Sequence, residues 1–299
     1  MFTLAHLSDP HLAPLPTPRL VDLASKRVLG WAHWRRTRHK IHRAEQVGRL
    51  VRDLAAQAPD HIAVTGDLVN IALAAEFPNA RRWLDTLGAP HDVTLVPGNH
   101  DAYVRAALDA HAPHWGEFMR GDGAVPDTLQ FPFVRRRGPL AIIGLTSAVA
   151  TAPLMATGRL GPEQIARLDA LLPQLAGTFR VVLVHHPPGR SRGGRFKRLT
   201  DAAALRTVLA RHGAELVLHG HDHVQALDWL VGPRGEIAAL GVPSASATPI
   251  EGHHVEPAAY NLYRIDGSAG AWRCELLTRG FRDGAESVAE VNRRELKIA

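Results

Sequence analysis

The 299-residue chain predicts an α/β fold built on a largely parallel sheet. Three observations carry this reading. Short apolar runs rich in β-branched residues alternate with stretches of helical periodicity, the pattern of strands joined by crossover helices. Glycine or proline follows several of these runs directly, so the strands end in sharp turns. The residues delivered at those turns are Asp, Asn and His, at the carboxyl ends of strands, where α/β sheets collect ligands.

The elements follow in order. Phe2 to Leu7 reads as a strand that delivers Ser8-Asp9-Pro10-His11. After a proline-rich piece, Pro14 to Pro18, comes a basic segment with Val28, Trp31, Trp34 and Ile41 at helical spacing. Arg43 to Gln57 is helical through Val47, Leu50, Val51 and Leu54. His61 to Thr65 is a strand ending in Gly66-Asp67-Leu68-Val69-Asn70. Phe77 to Leu87 is a helix with Pro78 in its first turn. Val93 to Val96 is a strand; Pro97 ends it and Gly98 turns the chain into Asn99-His100-Asp101. Tyr103 to Arg120 reads as mostly helical, broken at Pro113. Leu140 to Thr146 is a strand, and Pro162 to Leu172 a helix. Arg180 to Val184 is a strand ending in His185-His186-Pro187-Pro188, followed by a Gly- and Arg-rich loop from Gly189 to Arg198. Thr200 caps a helix to about His212. Glu215 to Leu218 delivers His219-Gly220-His221-Asp222-His223. The remainder predicts strands over Ala226–Val231, Glu236–Leu240, Tyr260–Ile265 and Ala271–Leu277. The reading is one domain over 1–281, with a basic helical insertion at about 19–44, and a polar, loosely attached tail over 282–299.

Composition narrows the classes. Hydrophobic residues make up 45%, enough for a large core. No run of about 18 apolar residues occurs, so no spanning helix is expected, and the amino terminus lacks the features of a signal peptide. Cys274 is the sole cysteine. It excludes an internal disulfide and a Cys-built zinc site, and it fits a reducing, cytoplasmic compartment. The net charge is +6, yet Leu23 to Ala44 alone holds seven Lys or Arg and no acid. The basicity is therefore local, and no specific nucleic-acid partner is expected. Basic side chains with tryptophan on an apolar face describe a helix at a membrane interface, a lid that recruits an anionic substrate, or a solvated helix docked by its tryptophans. The segment 21–43 is a candidate for peripheral membrane contact, and the composition is compatible with a monomer or a dimer.

Five strand ends present Asp9/His11, Asp67, Asn99/His100, His185 and His221/His223. A core uses such groups sparingly and pairs them. Oxygen plus imidazole without thiolate suits Mn, Fe, Zn or Co. Seven ligands are too many for one ion and fit two divalent ions that share a bridging carboxylate. His6 and His219 read as core residues. His33, His39 and His42 read as exposed, and His61, His91, His111, His114 and His212 as solvated.

These blocks, D-x-H, GD-x-x-N, GNHD, an H before Pro and GHxH, occur in the order found in the calcineurin-like metallophosphoesterase superfamily, which the chain resembles from Asp9 to His223. Gly66 to Asn70 followed by Glu76-Phe77 is most similar to the branch of bacterial cyclic-nucleotide and glycerophosphodiester phosphodiesterases. The resemblance implies a four-layer α-β-β-α sandwich of two mixed sheets, with a dinuclear metal site at strand C-terminal ends. It implies that Asp9, His11 and His223 hold one metal and Asn99, His185 and His221 the other, with Asp67 bridging. It further implies a phosphoesterase that cleaves phosphodiester bonds by attack of a metal-bridging hydroxide, with Asp67 and His100 as catalytic residues. His100 resembles the family's general acid or electrostatic stabiliser. Some members place an Asp at Asn70 as its partner; here that partner is neutral. Asn70, His186, Arg190 and Arg192 are candidate substrate-binding residues. The alternatives are a hydrolase of a pyrophosphate-linked or lipid-linked substrate at the membrane surface, or a non-catalytic scaffold.

Overall fold

The computed structural model describes residues 1–126, 128–282 and 287–298. Among these residues, twelve strands form two six-stranded sheets. The first holds β1 (Phe2–Leu7), β2 (His61–Val64), β3 (Val93–Leu95), β10 (Ala259–Asp266), β11 (Arg273–Phe281) and β12 (Val288–Leu296), in the order β12-β11-β10-β1-β2-β3. The second holds β4 (Phe133–Arg137), β5 (Leu140–Gly144), β6 (Phe179–Leu183), β7 (Leu216–His219), β8 (Ala226–Val231) and β9 (Glu236–Gly241), in the order β4-β5-β6-β7-β9-β8. β1, β2 and β3 run parallel, as do β5, β6, β7 and β9, and antiparallel strands flank each set.

Strand alternation builds the layers. In β5 and β6, Leu140, Ile142, Val181 and Leu183 face the core between the sheets, against Leu4, Tyr263 and Leu276. Their neighbours Ala141, Ile143 and Val182 face outward and meet Leu168 and Leu205. Those two leucines lie on helices α4 (Pro162–Leu171) and α5 (Ala202–His212), which cover the second sheet. Helices α2 (Ala44–Ala56) and α3 (Glu76–Leu87) cover the first sheet through Leu50, Leu54, Phe77 and Leu84. The result is the four-layer α-β-β-α sandwich of two mixed sheets.

The basic insertion is one helical stretch in three pieces. Helix α1 (Arg27–His33) passes into a π-helical turn, Trp34–Arg38, and then a short α turn, His39–Ile41. It is docked on the body. Arg27 donates to the carbonyls of Ile71 and Ala72, and Lys26 to Thr151. Gly30 permits the close approach, since a Cβ there would collide with Ile71 and Tyr103. Trp34 is buried and stacks on His42 with rings 6.4 Å apart. Val28, Trp31, Trp34 and Ile41 therefore do not share one outward apolar face, because Trp34 has turned into the protein. Among the described residues no helix is long and apolar enough to cross a membrane.

Several local expectations change. Val288–Leu296 is the edge strand of the first sheet and pairs with β11 over its length. It reads as a loose tail because five of its nine residues are polar and only Leu296 is buried. Residues 283–286 and 299 of the expected tail lie outside the described residues. Pro113 opens a short helix, Ala112–Trp115, where a break was expected, since proline suits the first turn. Its flanks are 3₁₀ turns at Arg105–Ala107 and Gly116–Met119. Strand β4 carries Arg135 to Arg137 and has no clear apolar signature.

Candidate metal centre

The strand exits converge because their loops bond to one another. The Asp9 and His11 N–H groups donate to the carbonyls of Gly66 and Asp67, and Gly220 N–H to that of His185. His221 N–H donates to Asp9 Oδ2 at 3.0 Å, which joins the two sheets' loops. Gly66, at φ +91°, lies against the backbone of Gly98, and a Cβ on Gly98 would strike Asp67. Only glycine fits at this crossing. Asp9, His11, Asp67, His221 and His223 all have positive φ, between 38° and 70°. A non-glycine residue in that region costs about 1–2 kcal/mol, so backbone strain concentrates on five of the seven candidate ligands.

Asp101 braces the exits. Its Oδ2 accepts from the N–H groups of Asp67 and Gly98, at 2.9 and 2.8 Å. Its Oδ1 accepts from Leu68 and Val69, at 2.9 and 3.2 Å. The carboxylate thus holds the backbone of both loops. Burial and then the Asp67 charge push Asp101 up to about 7, against these donors. Glu76 does the same for the next turn, accepting from Asn70, Ile71 and Leu73.

The imidazoles are oriented by backbone carbonyls. His11 Nδ1 donates to Val69 O at 3.2 Å, His185 Nδ1 to Thr65 O at 2.6 Å, and His221 Nε2 to Lys197 O at 2.8 Å. A carbonyl only accepts, so each ring turns its other nitrogen inward as a potential ligand. His185 Nε2 lies 3.2 Å from Asn99 Oδ1, 3.3 Å from Asp67 Oδ2 and 3.3 Å from His221 Nδ1. His11 Nε2 lies 3.2 Å from His223 Nε2, and 3.9 Å from both Asp9 Oδ1 and Asp67 Oδ2. His223 Nε2 is 3.2 Å from Asp9 Oδ1. Asp67 faces both groups. Acceptor atoms crowded this closely are the makeup of a cation site, and the donor set of imidazole, carboxylate and amide oxygen suits a divalent ion. The electrostatics agree. Burial holds His11 and His221 well below the ordinary range, so both stay neutral as ligands must. Burial would lower His185 too, but the Asp67 and Asp9 charges raise it to about 10, the mark of a strongly negative position.

His100 stands at the edge of this cluster. Its Nδ1 bonds to the backbone carbonyl of Asn70, and its Nε2 lies 3.1 Å from Arg38 Nη1. Arginine only donates, so His100 carries its proton on Nδ1 and is neutral at rest. Burial and then the Arg38 charge lower it to about 3. The side chain of Asn70 turns away, donating to Leu12 O.

The structure brings Asp9, His11, Asp67, Asn99, His100, His185, His221 and His223 together. A cavity of about 370 Å³ opens over them, lined also by Arg38, Asn70, Tyr103 and Lys197. Other candidates are not brought in. His186 is buried below the turn, bonded to Ser147 Oγ at 2.7 Å and Ala156 O at 3.1 Å, so both ring nitrogens are engaged away from substrate. Arg190 and Arg192 are exposed and do not line the cavity; Asp222 draws their loop aside through Ser191 Oγ and Arg192 N–H. His42, expected at the surface, is buried with its ring 4.5 Å from that of His11 and a bond to Ser246 Oγ. His61 and His111 are also buried. Arg38 was not singled out for the site from sequence, since nothing distinguishes it there from its exposed neighbours Arg35 and Arg36.

Comparison with known proteins gives the same direction. A model of the calcineurin-like phosphoesterase family matches residues 2–225. A probable cyclic nucleotide phosphodiesterase of Synechococcus sp. is 28% identical over 230 residues, 75% of this chain and 78% of that one. A glycerophosphodiester phosphodiesterase of Enterobacter lignolyticus is 28% identical over 165 residues, 52% of this chain and 54% of that protein. The fold matches a purple acid phosphatase from yellow lupin (Lupinus luteus) seeds with a TM-score of 0.59 at 12% identity, over 93% of this chain and 51% of that one.

Proposed function

The chain belongs to the calcineurin-like phosphoesterase family, and from that premise we propose that it is a dinuclear metal-dependent phosphodiesterase. The observation that carries the reading is the double cluster of inward-facing acceptors that shares Asp67. Asp9, His11 and His223 would hold one divalent ion, Asn99, His185 and His221 the other, and Asp67 both. Such a pair would supply a water of lowered pKa and charge to polarise phosphoryl oxygens for an in-line displacement. The chain's own contribution is orientation. Backbone carbonyls fix three imidazoles, and Asp101 holds the two loops that carry Asp67 and Asn99. His100, neutral at rest, lines the cavity, and its hydrogen bonds favour a positioning role over proton donation.

A second reading concerns substrates with an apolar portion, including lipid- or pyrophosphate-linked ones. Leu29, Leu154 and Met155 line the cavity and are 45%, 89% and 38% exposed, which makes one wall of the mouth apolar. Sedimentation with anionic liposomes at low and high salt tests whether that wall meets a membrane. The main experiment loads the protein with Mn and compares bis(p-nitrophenyl) phosphate with p-nitrophenyl phosphate. Diester turnover that tracks bound metal supports the proposal. Turnover of the monoester alone removes the diesterase claim, and turnover of neither leaves the scaffold reading.

A further inference from the structure

We propose that Arg38, carried by the basic insertion, binds the phosphoryl group of the substrate directly, which makes the insertion part of the active site. The inference rests on the phosphodiesterase reading of the same centre. The guanidinium lies over the candidate metal cluster and lines its cavity with Asp67, Asn99 and His100. Only one of its nitrogens is used, Nη1, which donates to His100 Nε2 at 3.1 Å. Nε and Nη2 are buried and have no hydrogen-bond partner among the described residues. No carboxylate pairs with Arg38 among the described residues.

A buried cation without its hydrogen bonds is costly, and such groups are retained when a partner completes them. The unused donors also have a shape. Nε–H and one Nη2–H lie parallel on one edge of the guanidinium, the fork that meets two oxygens of a single phosphate. The other basic side chains of the docked face are engaged: Arg27 with two backbone carbonyls, Lys26 with Thr151 and the Tyr103 ring, 4.4 Å away. Among these three, only Arg38 has buried nitrogens without a partner. With Nη1 holding His100 and the opposite edge free, the residue links the phosphate position to the imidazole beside it.

The test uses the Mn-loaded full chain and inorganic phosphate as probe, for the wild type, Arg38→Gln, Arg38→Lys and Arg38→Ala. Calorimetry measures phosphate affinity, and metal content is measured on the same samples. Arg38→Gln should keep its metals and bind phosphate about 10- to 100-fold more weakly, the worth of a charged hydrogen-bonding pair. Arg38→Lys should recover little, because it lacks the fork. In Arg38→Ala, added guanidinium should restore both phosphate binding and diester turnover, which a merely structural residue would not allow. Wild-type phosphate affinity in metal-loaded Arg38→Gln overturns the proposal, as does loss of metal from that variant. If the wild type binds phosphate through Arg38 but turns over no diester, the phosphodiesterase reading fails and the assignment of Arg38 stands.

Discussion

Asp101→Asn is the sharpest single probe of how the centre is held. The substitution keeps shape and volume but replaces one carboxylate oxygen with an NH₂ group. Each oxygen now accepts two backbone N–H groups, from Asp67 and Gly98 on one side and from Leu68 and Val69 on the other. Whichever way the amide turns, two N–H donors lose their acceptor and face another donor. A buried donor left without its acceptor costs about 1–3 kcal/mol, so two such donors cost roughly 2–6 kcal/mol. That is a large part of a folding free energy of about 5–15 kcal/mol. The loops carrying Asp67 and Asn99 lose their brace, so metal affinity should fall with stability. Urea denaturation of the metal-free protein and titration with Mn measure the two effects. A variant as stable as the wild type that still binds two Mn per chain would refute the bracing role.

Two further outcomes follow from the structure. Chelation should lower the melting temperature, because ions bind the folded arrangement alone; at about 100-fold excess over Kd the linked stabilisation is about 2.7 kcal/mol, and a melting curve indifferent to EDTA and Mn would contradict the candidate centre. Asp53 bonds Arg279 at 2.7 Å and accepts from the Tyr260 hydroxyl at 2.6 Å, tying α2 to β10 and β11. Burial pushes its carboxyl up, but Arg279 and Tyr260 hold it below the ordinary range. A depressed carboxylate stabilises above its unfolded pKa, about 4, and that contribution fades as pH falls through the folded value. Asp53→Asn should therefore cost about 1–3 kcal/mol at pH 7, with the gap closing in acid; an equal gap at pH 7 and pH 3 would point to packing instead.

The parallel strands were legible because each is a short apolar run with a punctuating glycine or proline, as at Val93-Thr94-Leu95-Val96-Pro97-Gly98. The residues read as ligands from strand-end position do lie together. What sequence did not show has physical reasons. His100 leans on the carbonyl of Asn70, an atom every residue has, so the side chain at 70 gave no guide to it. His186 reads as a substrate-binding candidate beside His185, and only the fold places Ser147 and Ala156 around it. Arg38 and His42 sit in a segment whose charge density does not separate a membrane face, a lid and a solvated helix, and helical periodicity broke down where the helix itself changes form. β12 buries so little that its pattern matches a tail.

That change of form has a geometric consequence. A π-helical turn holds about one residue more than an α turn, and one residue of an α-helix subtends about 100°. The Trp34–Arg38 turn therefore acts as an angular offset between the part of the insertion that docks through Arg27 and Gly30 and the part that presents Arg38. Composition at the exposed Arg35 and Arg36 can drift without altering that offset. Helix form cannot: relaxation of the turn to α geometry with every residue kept would swing whatever follows about 100° around the axis, and deleting one residue along with it would restore the phase. The insertion is thus tuned in phase, and its sensitive variable is the form of the turn between dock and guanidinium.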